Sequence, residues 1–101
     1  MADFFISSIA YNEKGEHIEW LLVREDKGKQ AGPAVPVHRQ FVADLIRLEL
    51  ATFQTLPLNP EGKISRGAMV HLYDEKFLST SANKTERDNL ENLPIFKFPP
   101  K

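Results

Sequence analysis

The sequence predicts a single α+β domain in which a small antiparallel sheet carries one helix on a face. Three observations lead to this prediction: short apolar runs separated by turn residues, one stretch with helical spacing, and a length of 101 residues with 42% hydrophobic and 27% charged side chains. Several strand-like runs with one helical run are typical of this class. A chain of this length buries roughly two thirds of its unfolded surface, enough for one core. We therefore expect residues 1–101 to form one domain with the element order β-β-α-β-β-β.

The front of the chain predicts a β-hairpin. Residues 3–11 and 17–24 are two short runs rich in aromatic and β-branched side chains, which favour strands. The polar residues between them include Gly15, which can adopt the positive φ of a tight turn. Residues 25–36, with two glycines and two prolines, are predicted to form a loop.

The one helix is predicted over residues 38–50. Phe41, Val42, Leu45 and Ile46 recur at helical spacing, and polar residues occupy the opposite side. His38 is a poor capping residue at the start of this stretch. No glycine follows its end, where a left-handed residue is common. Both helix termini are therefore unusual.

The second half of the chain predicts three further short strands and an extended tail. Residues 52–56 form one strand, and residues 68–73 and 76–80 form a second hairpin. The final segment, residues 93–100, is apolar and flanked by prolines. We expect it to lie extended against the body and to cover a groove or a sheet edge.

Composition and motifs exclude several classes of protein. Thirteen basic and 14 acidic residues give a net charge of −1, which provides no domain-wide field for nucleic acid or an acidic membrane. The absence of cysteine excludes a disulfide framework and a thiolate nucleophile or zinc ligand. The three histidines, His17, His38 and His71, lack the close spacing of a metal motif. No Gly-x-Ser-x-Gly elbow is present. We expect no cofactor, no metal and no catalytic residue, although an unrecognised site around His71 or His17 stays an alternative.

The N-terminus lacks an early basic residue and a continuous apolar segment, so it does not resemble a signal peptide. No apolar run approaches the ~18 residues of a membrane span. We expect a cytoplasmic protein.

Two binding functions are open from the sequence. The first is a protein-interaction module, a regulator or inhibitor of a partner protein, whose candidate contacts are Phe96, Phe98, Asn83, Asp88 and Asn89. The second is a nucleic-acid-binding sheet, because basic residues lie near an aromatic residue around the second hairpin. Its candidates are Lys63, Arg66, Tyr73 and Lys76. Acidic residues among them largely cancel the local charge, so the first function is favoured.

A family resemblance extends over nearly the whole chain. It is carried by Ala2-Asp3-Phe4-Phe5-Ile6-Ser7, Tyr11-Asn12, Gly15-Glu16-His17-Ile18, Arg39, Val42, Ile46, Val70-His71, Asp88-Asn89-Leu90 and Leu93-Pro94-Ile95-Phe96. In these residues the chain resembles a family of small bacterial proteins catalogued as a domain of unknown function, number three-eight-nine-two. The resemblance implies a compact cytoplasmic bacterial domain and supplies no activity.

The chain departs from that family pattern at both ends of the helix. Leu48-Glu49-Leu50 stands where the pattern predicts a glycine, and His38 stands where it predicts a hydroxyl residue before Arg39. These departures bear on how the helix begins and ends.

Overall fold

The computed structural model describes residues 2–15, 17–28, 30–56, 67–73, 77–79 and 93–97. In chain order the elements are β1 (Phe4–Tyr11), β2 (Ile18–Glu25), β3 (Val35–His38), α1 (Arg39–Arg47), β4 (Phe53–Thr55), β5 (His71–Tyr73) and β6 (Phe77–Ser79). Strands β3, β2, β1 and β4 form a mixed sheet in that order, and β5 and β6 form a separate hairpin. The predicted α+β class and the second hairpin are confirmed.

The predicted hairpin of β1 and β2 is confirmed, and it contains a bulge. The pairing passes from Ile6 directly to Ser8, so Ser7 is an extra residue on β1. Because side chains alternate along a strand, this extra residue allows Ile6 and Ile9 to face the same core although they are three positions apart. Gly15 has φ 68° in the connecting turn, as the sequence predicted.

The predicted loop at residues 25–36 was wrong at its end, where the chain forms β3. This strand pairs antiparallel with β2, and Pro36 lies opposite Leu22. Proline favours extended backbone and is tolerated in a terminal strand, while Val35 and Val37 favour strand structure. Of the two prolines that predict a loop in this segment, Pro36 belongs to a strand.

The helix begins one residue later than predicted, and its start is capped. His38 has extended backbone, and its Nδ1 accepts a hydrogen bond from the N–H of Gln40 at 3.1 Å. An acceptor at this position satisfies one of the unpaired N–H groups of the first turn. The prediction that His38 would cap poorly was wrong, because an unprotonated imidazole nitrogen serves as the acceptor.

The sheet is mixed rather than purely antiparallel, because β1 and β4 pair in parallel. Strand β3 is antiparallel to β2 and therefore has the direction of β1. The helix α1 carries the chain from β3 to β4 at the other side of the sheet, and a helical crossover of this kind connects parallel strands. The helical crossover thus sets the direction of β4. The alternation of residues within the strands does not reveal that direction.

The core lies between α1, the sheet and the second hairpin. Val42 and Ala43 are the buried residues of α1. The rings of Phe4 and Phe53 stack with centroids 5.4 Å apart at an interplanar angle of 24°. The buried cluster comprises Ile6, Ile9, Ile18, Leu21, Val23, Val42, Ala43, Phe53, Val70, Leu78 and Leu93.

The predicted extended tail is confirmed for residues 93–97. The N–H of Ile9 donates to the carbonyl of Pro94 at 3.0 Å, and the N–H of Phe96 donates to the carbonyl of Ile9 at 2.9 Å. Strand β4 pairs only with residues 4–6 of β1, so the tail follows the part of β1 that β4 leaves uncovered. Leu93 is buried and Ile95 points outward, 69% exposed.

Candidate functional site: an acidic cleft and a helix strip

The end of α1 is a Schellman turn with glutamate at the position that usually holds glycine. The N–H of Glu49 donates to the carbonyl of Ile46 at 3.0 Å, and the N–H of Leu50 donates to the carbonyl of Leu45 at 2.9 Å. These two bonds define the motif. Glu49 has φ 57°, which is left-handed backbone that an L-residue with a Cβ adopts at a cost. Glu49 thus takes the position where glycine is usual, and the Schellman turn keeps both of its hydrogen bonds.

Replacing Glu49 with glycine is expected to raise the free energy of unfolding by about 0.5–1 kcal/mol. Relief of the left-handed strain, about 1–2 kcal/mol, exceeds the added backbone entropy of glycine, about 0.5–1 kcal/mol. Urea unfolding followed by circular dichroism measures the difference. Glu49→Gln keeps the strain and serves as the control, with a change within about 0.5 kcal/mol. A glycine variant no more stable than the glutamine variant would contradict this account.

A cleft of about 310 Å³ opens beside this turn. Residues from three distant parts of the chain line it, because the segment before β5 runs along β4. In this segment the N–H of Val70 donates to the carbonyl of Phe53 at 2.9 Å, and Met69 forms an antiparallel bridge with Gln54. This pairing brings the beginning of β5 next to the beginning of β4. The lining residues are Asp3, Ile46, Glu49, Leu50, Ala51, Thr52, Met69, Val70 and His71.

Asp3 and Thr52, which both line the cleft, are joined by hydrogen bonds. Asp3 Oδ2 accepts from the N–H of Thr52 at 2.9 Å and from its hydroxyl at 3.0 Å. The N–H of Asp3 donates to Thr52 Oγ1 at 3.0 Å and to the carbonyl of Thr52 at 3.1 Å. These reciprocal bonds fix the Asp3 carboxylate just before β1 and leave Oδ1 outside the pair.

The cleft combines acidic groups with an apolar wall. As far as the structure describes the chain, its lining contains two carboxylates, Asp3 and Glu49, and neither lysine nor arginine. Within the described part of the chain, the Glu49 carboxylate, Asp3 Oδ1 and the His71 imidazole have no hydrogen-bond or ion-pair partner. Arg47, the last residue of α1, is paired with Asp44 at 3.4 Å. Among the described residues, the cleft therefore combines unpaired carboxylate oxygens with aliphatic side chains.

A strip of apolar side chains, exposed at both ends and half-buried in the middle, runs along α1 to its C-cap. We call Phe41, Leu45 and Leu48 the helix strip, since their spacing of four and three residues places them on one side of a helix. Phe41 is 58% exposed and Leu48 is 54% exposed, whereas Leu45 is half-buried and packs against the core. Leu50, which is 69% exposed, follows the strip and also lines the cleft. The apolar surface of the helix is therefore larger than the part of it that the sheet covers.

The structure places some of the predicted site residues and leaves others undescribed. Phe96 is half-buried, with its backbone bonded to β1. Tyr73 is the last residue of β5. The remaining candidates lie outside the described residues: Phe98, Asn83, Asp88, Asn89, Lys63, Arg66 and Lys76. Neither predicted binding surface is assembled within the described part.

The histidines occupy three separate places. His38 caps α1, and its ring lies edge-on to Trp20 with centroids 5.1 Å apart. His17 is exposed before β2, and His71 is exposed at the cleft. Among the described residues no three histidine, aspartate or glutamate side chains are grouped so that they could hold a metal ion. The sequence pointed to His71 but not to Asp3 or Glu49. The only signal for Glu49 was the missing glycine after the helix, and Asp3 had none.

The fold and the site define a small α+β domain with an acidic cleft next to an exposed helix strip. In the part of the chain that the structure describes, no helix combines the length and apolar character needed to cross a membrane. Comparisons with protein-family models, curated proteins and solved structures found no match. The family resemblance of the sequence therefore stays a prediction.

Proposed function

We propose that the domain is a non-catalytic protein-interaction module that regulates or inhibits a partner protein, and that the helix strip is its docking surface. The observation that carries this proposal is the exposure of Phe41 and Leu48, each more than half accessible on one side of the helix. The family resemblance of the sequence supports a bacterial cytoplasmic setting for this function.

The dimensions of the strip suit a short apolar segment of a partner. Phe41 and Leu48 are seven residues apart, which corresponds to about 10 Å along a helix. Aromatic and large aliphatic side chains exposed in this way gain free energy when a partner removes them from water, about 25 cal/mol per Å² of apolar area. A few such anchors carry most of the binding energy in protein interfaces.

The acidic cleft supports a partner of defined chemistry. Leu50 links the strip to the cleft, where Asp3 and Glu49 have free carboxylate oxygens within the described part. Charge at the border of an apolar patch selects partners and orients them. The complementary surface would carry apolar side chains with a basic residue at one end.

The test compares capture of a partner by the wild-type chain and by two variants. Phe41→Gln/Leu48→Gln removes the exposed anchors and retains a good helix former at both positions. Ile95→Ser changes a residue that is as exposed as Leu50, at 69%, but lies on the tail. Proteins captured from host lysate are identified by mass spectrometry, purified, and titrated against all three chains by calorimetry.

We expect one purified protein to bind the wild-type and Ile95→Ser chains equally and the double variant at least about 100-fold more weakly, as for loss of two hot-spot residues. Circular dichroism and thermal unfolding check that the double variant is folded. Equal binding by the double variant would overturn the docking surface. Loss with Ile95→Ser alone would assign binding to the tail instead.

A further inference from the structure

We propose that His38 is a proton-sensitive cap of α1, whose protonation in mildly acidic solution loosens the first turn of the helix and with it Phe41. The loosening of the turn is a property of the fold alone. Its consequence, weaker docking of a partner below neutral pH, rests on the proposed function, because Phe41 is the first residue of the helix strip.

His38 joins a strand to a helix without an intervening loop. It is the last residue of β3 and also the N-cap of α1, which begins at Arg39. Its backbone is extended, with φ −69° and ψ 141°, and it lies opposite Trp20 in the pairing of β2 and β3. The imidazole is therefore attached to a backbone that the sheet holds in place.

Two contacts orient the His38 ring. Its Nδ1 accepts from the N–H of Gln40 at 3.1 Å, and the ring lies edge-on to Trp20 with an interplanar angle of 87°. The Gln40 N–H belongs to the first turn, whose N–H groups have no partner within the helix. Because Nδ1 accepts, the ring in the described state is neutral and carries its proton on Nε2.

Protonation of His38 removes this acceptor, because both nitrogens of an imidazolium are donors. Two N–H groups would then face each other at the distance of the present hydrogen bond. The added positive charge would also lie at the N-terminal end of the helix dipole, where cations are unfavourable. Histidine changes its charge between about pH 5 and 8. The stabilisation by the cap is thus present when the ring is neutral and is lost as the pH falls through this range.

The titratable groups on the β2 side of the cap are Glu19 and His17. Glu19 accepts from the indole N–H of Trp20 at 3.0 Å, and this indole is the ring against which His38 packs. A nearby carboxylate favours a protonated imidazole and would act against the switch. Within the described residues, however, Glu19 forms no ion pair with His38. His17 is exposed just before β2 and changes its charge over the same pH range, so it needs a control of its own.

The charged groups of α1 favour a neutral ring or are paired with each other. Arg39 follows the cap directly, and a neighbouring cation disfavours a further positive charge. Asp44 lies more than one turn away and is paired with Arg47 at 3.4 Å. Strand β5, which also packs against α1, places His71 at the cleft beside the C-terminal end of the helix.

Loosening of the first turn affects the docking surface directly. Phe41 is the third residue of α1, and its own N–H is another of those without a partner within the helix. Because its side chain is 58% exposed, the position of Phe41 depends on the helical turn more than on packing. Acidification therefore acts on the N-terminal end of the helix strip.

The test compares the unfolding equilibrium of three full-length chains at about pH 7.5 and about pH 5.5, on either side of the ordinary histidine titration. His38→Asn provides a side-chain oxygen that accepts at both pH values, and asparagine is among the best N-caps. His17→Gln removes a histidine outside the cap and keeps His38. Aspartate and glutamate titrate mostly below this range, and all three chains share them. Urea unfolding followed by circular dichroism gives each equilibrium constant.

We expect acidification to raise the unfolding equilibrium constant of the wild-type and His17→Gln chains about fivefold more than that of His38→Asn, the usual effect of losing one N-cap. The same pH dependence in the wild-type and His38→Asn chains would overturn the proposal. A pH dependence that disappears in His17→Gln would also overturn it and assign the effect to His17.

NMR of the labelled wild-type chain gives a second readout that requires no variant to fold. At about pH 7.5 we expect the His38 ring to carry its proton on Nε2, and the amide signal of Gln40 to move as the ring is protonated. A His38 ring with its proton on Nδ1 at this pH would contradict the cap. Neither measurement involves a partner, so failure of the cap and failure of the docking surface are told apart.

The consequence for docking is measured by calorimetry with the purified partner. Acidification should weaken binding by the wild-type chain about two- to fivefold more than binding by His38→Asn, in line with the loss of one cap. An equal change in both chains would show that the cap does not control the helix strip.

Discussion

Replacing Phe53 with alanine is expected to lower the free energy of unfolding by about 3–5 kcal/mol. Phe53 is 2% exposed and stacks on Phe4, so alanine would leave a cavity as well as lose buried apolar surface. It also begins β4, the strand that closes the sheet after the helical crossover. Chemical unfolding in urea, monitored by far-ultraviolet circular dichroism, measures the change.

Phe53→Leu is the matched control, since it retains most of the buried volume. We expect it to cost about 1 kcal/mol, as other near-conservative apolar exchanges do. Because domains of this kind are stable by only about 5–15 kcal/mol, the alanine variant should unfold at clearly lower urea concentration. A loss below 1 kcal/mol for Phe53→Ala would contradict the packing described for β4.

Replacing Leu93 with alanine is expected to lower the free energy of unfolding by about 2–4 kcal/mol. Leu93 is 6% exposed and belongs to the buried cluster although it lies in the tail. The tail is therefore part of the core at this residue. Thermal and urea unfolding of the purified variant measure the loss.

Ile95→Ala, two residues further along the same segment, should change the stability by no more than about 0.5 kcal/mol, because Ile95 is 69% exposed. The two substitutions differ in burial and share the backbone bonds that tie the tail to Ile9. Equal losses at the two positions would contradict a specific contribution of the buried Leu93 side chain. Negligible losses for both would place Leu93 outside the core.

The parts of the fold that depend on neighbouring residues could be predicted from the sequence. The β1–β2 hairpin has a turn glycine between two strand-like runs, and α1 has a clear apolar periodicity. The parallel direction of β4 could not be predicted, because it depends on the path of the crossover. Strand β3 was missed because a proline in a terminal strand has the same local signature as a proline in a loop.

The candidate site was less predictable than the fold. Asp3, Thr52 and His71 meet only because β4 pairs with β1 and the segment before β5 pairs with β4. None of these residues belongs to a motif with fixed spacing. The sequence shows that glycine is missing after α1. Only the tertiary structure shows that Glu49, which stands in its place, lies at a cleft.

Pro36 has a consequence for how copies of the chain behave in concentrated solution. In the described part β3 is the terminal strand of the sheet, and Pro36 lies in its middle. Proline has no N–H, so a strand arriving at the outer side of β3 would lack a donor there and would meet the pyrrolidine ring. Continuous edge-to-edge hydrogen bonding between the sheets of different copies, which leads to fibrils, is thereby disfavoured at this margin. The apolar helix strip is thus exposed on a chain whose sheet resists polymerisation at the β3 margin.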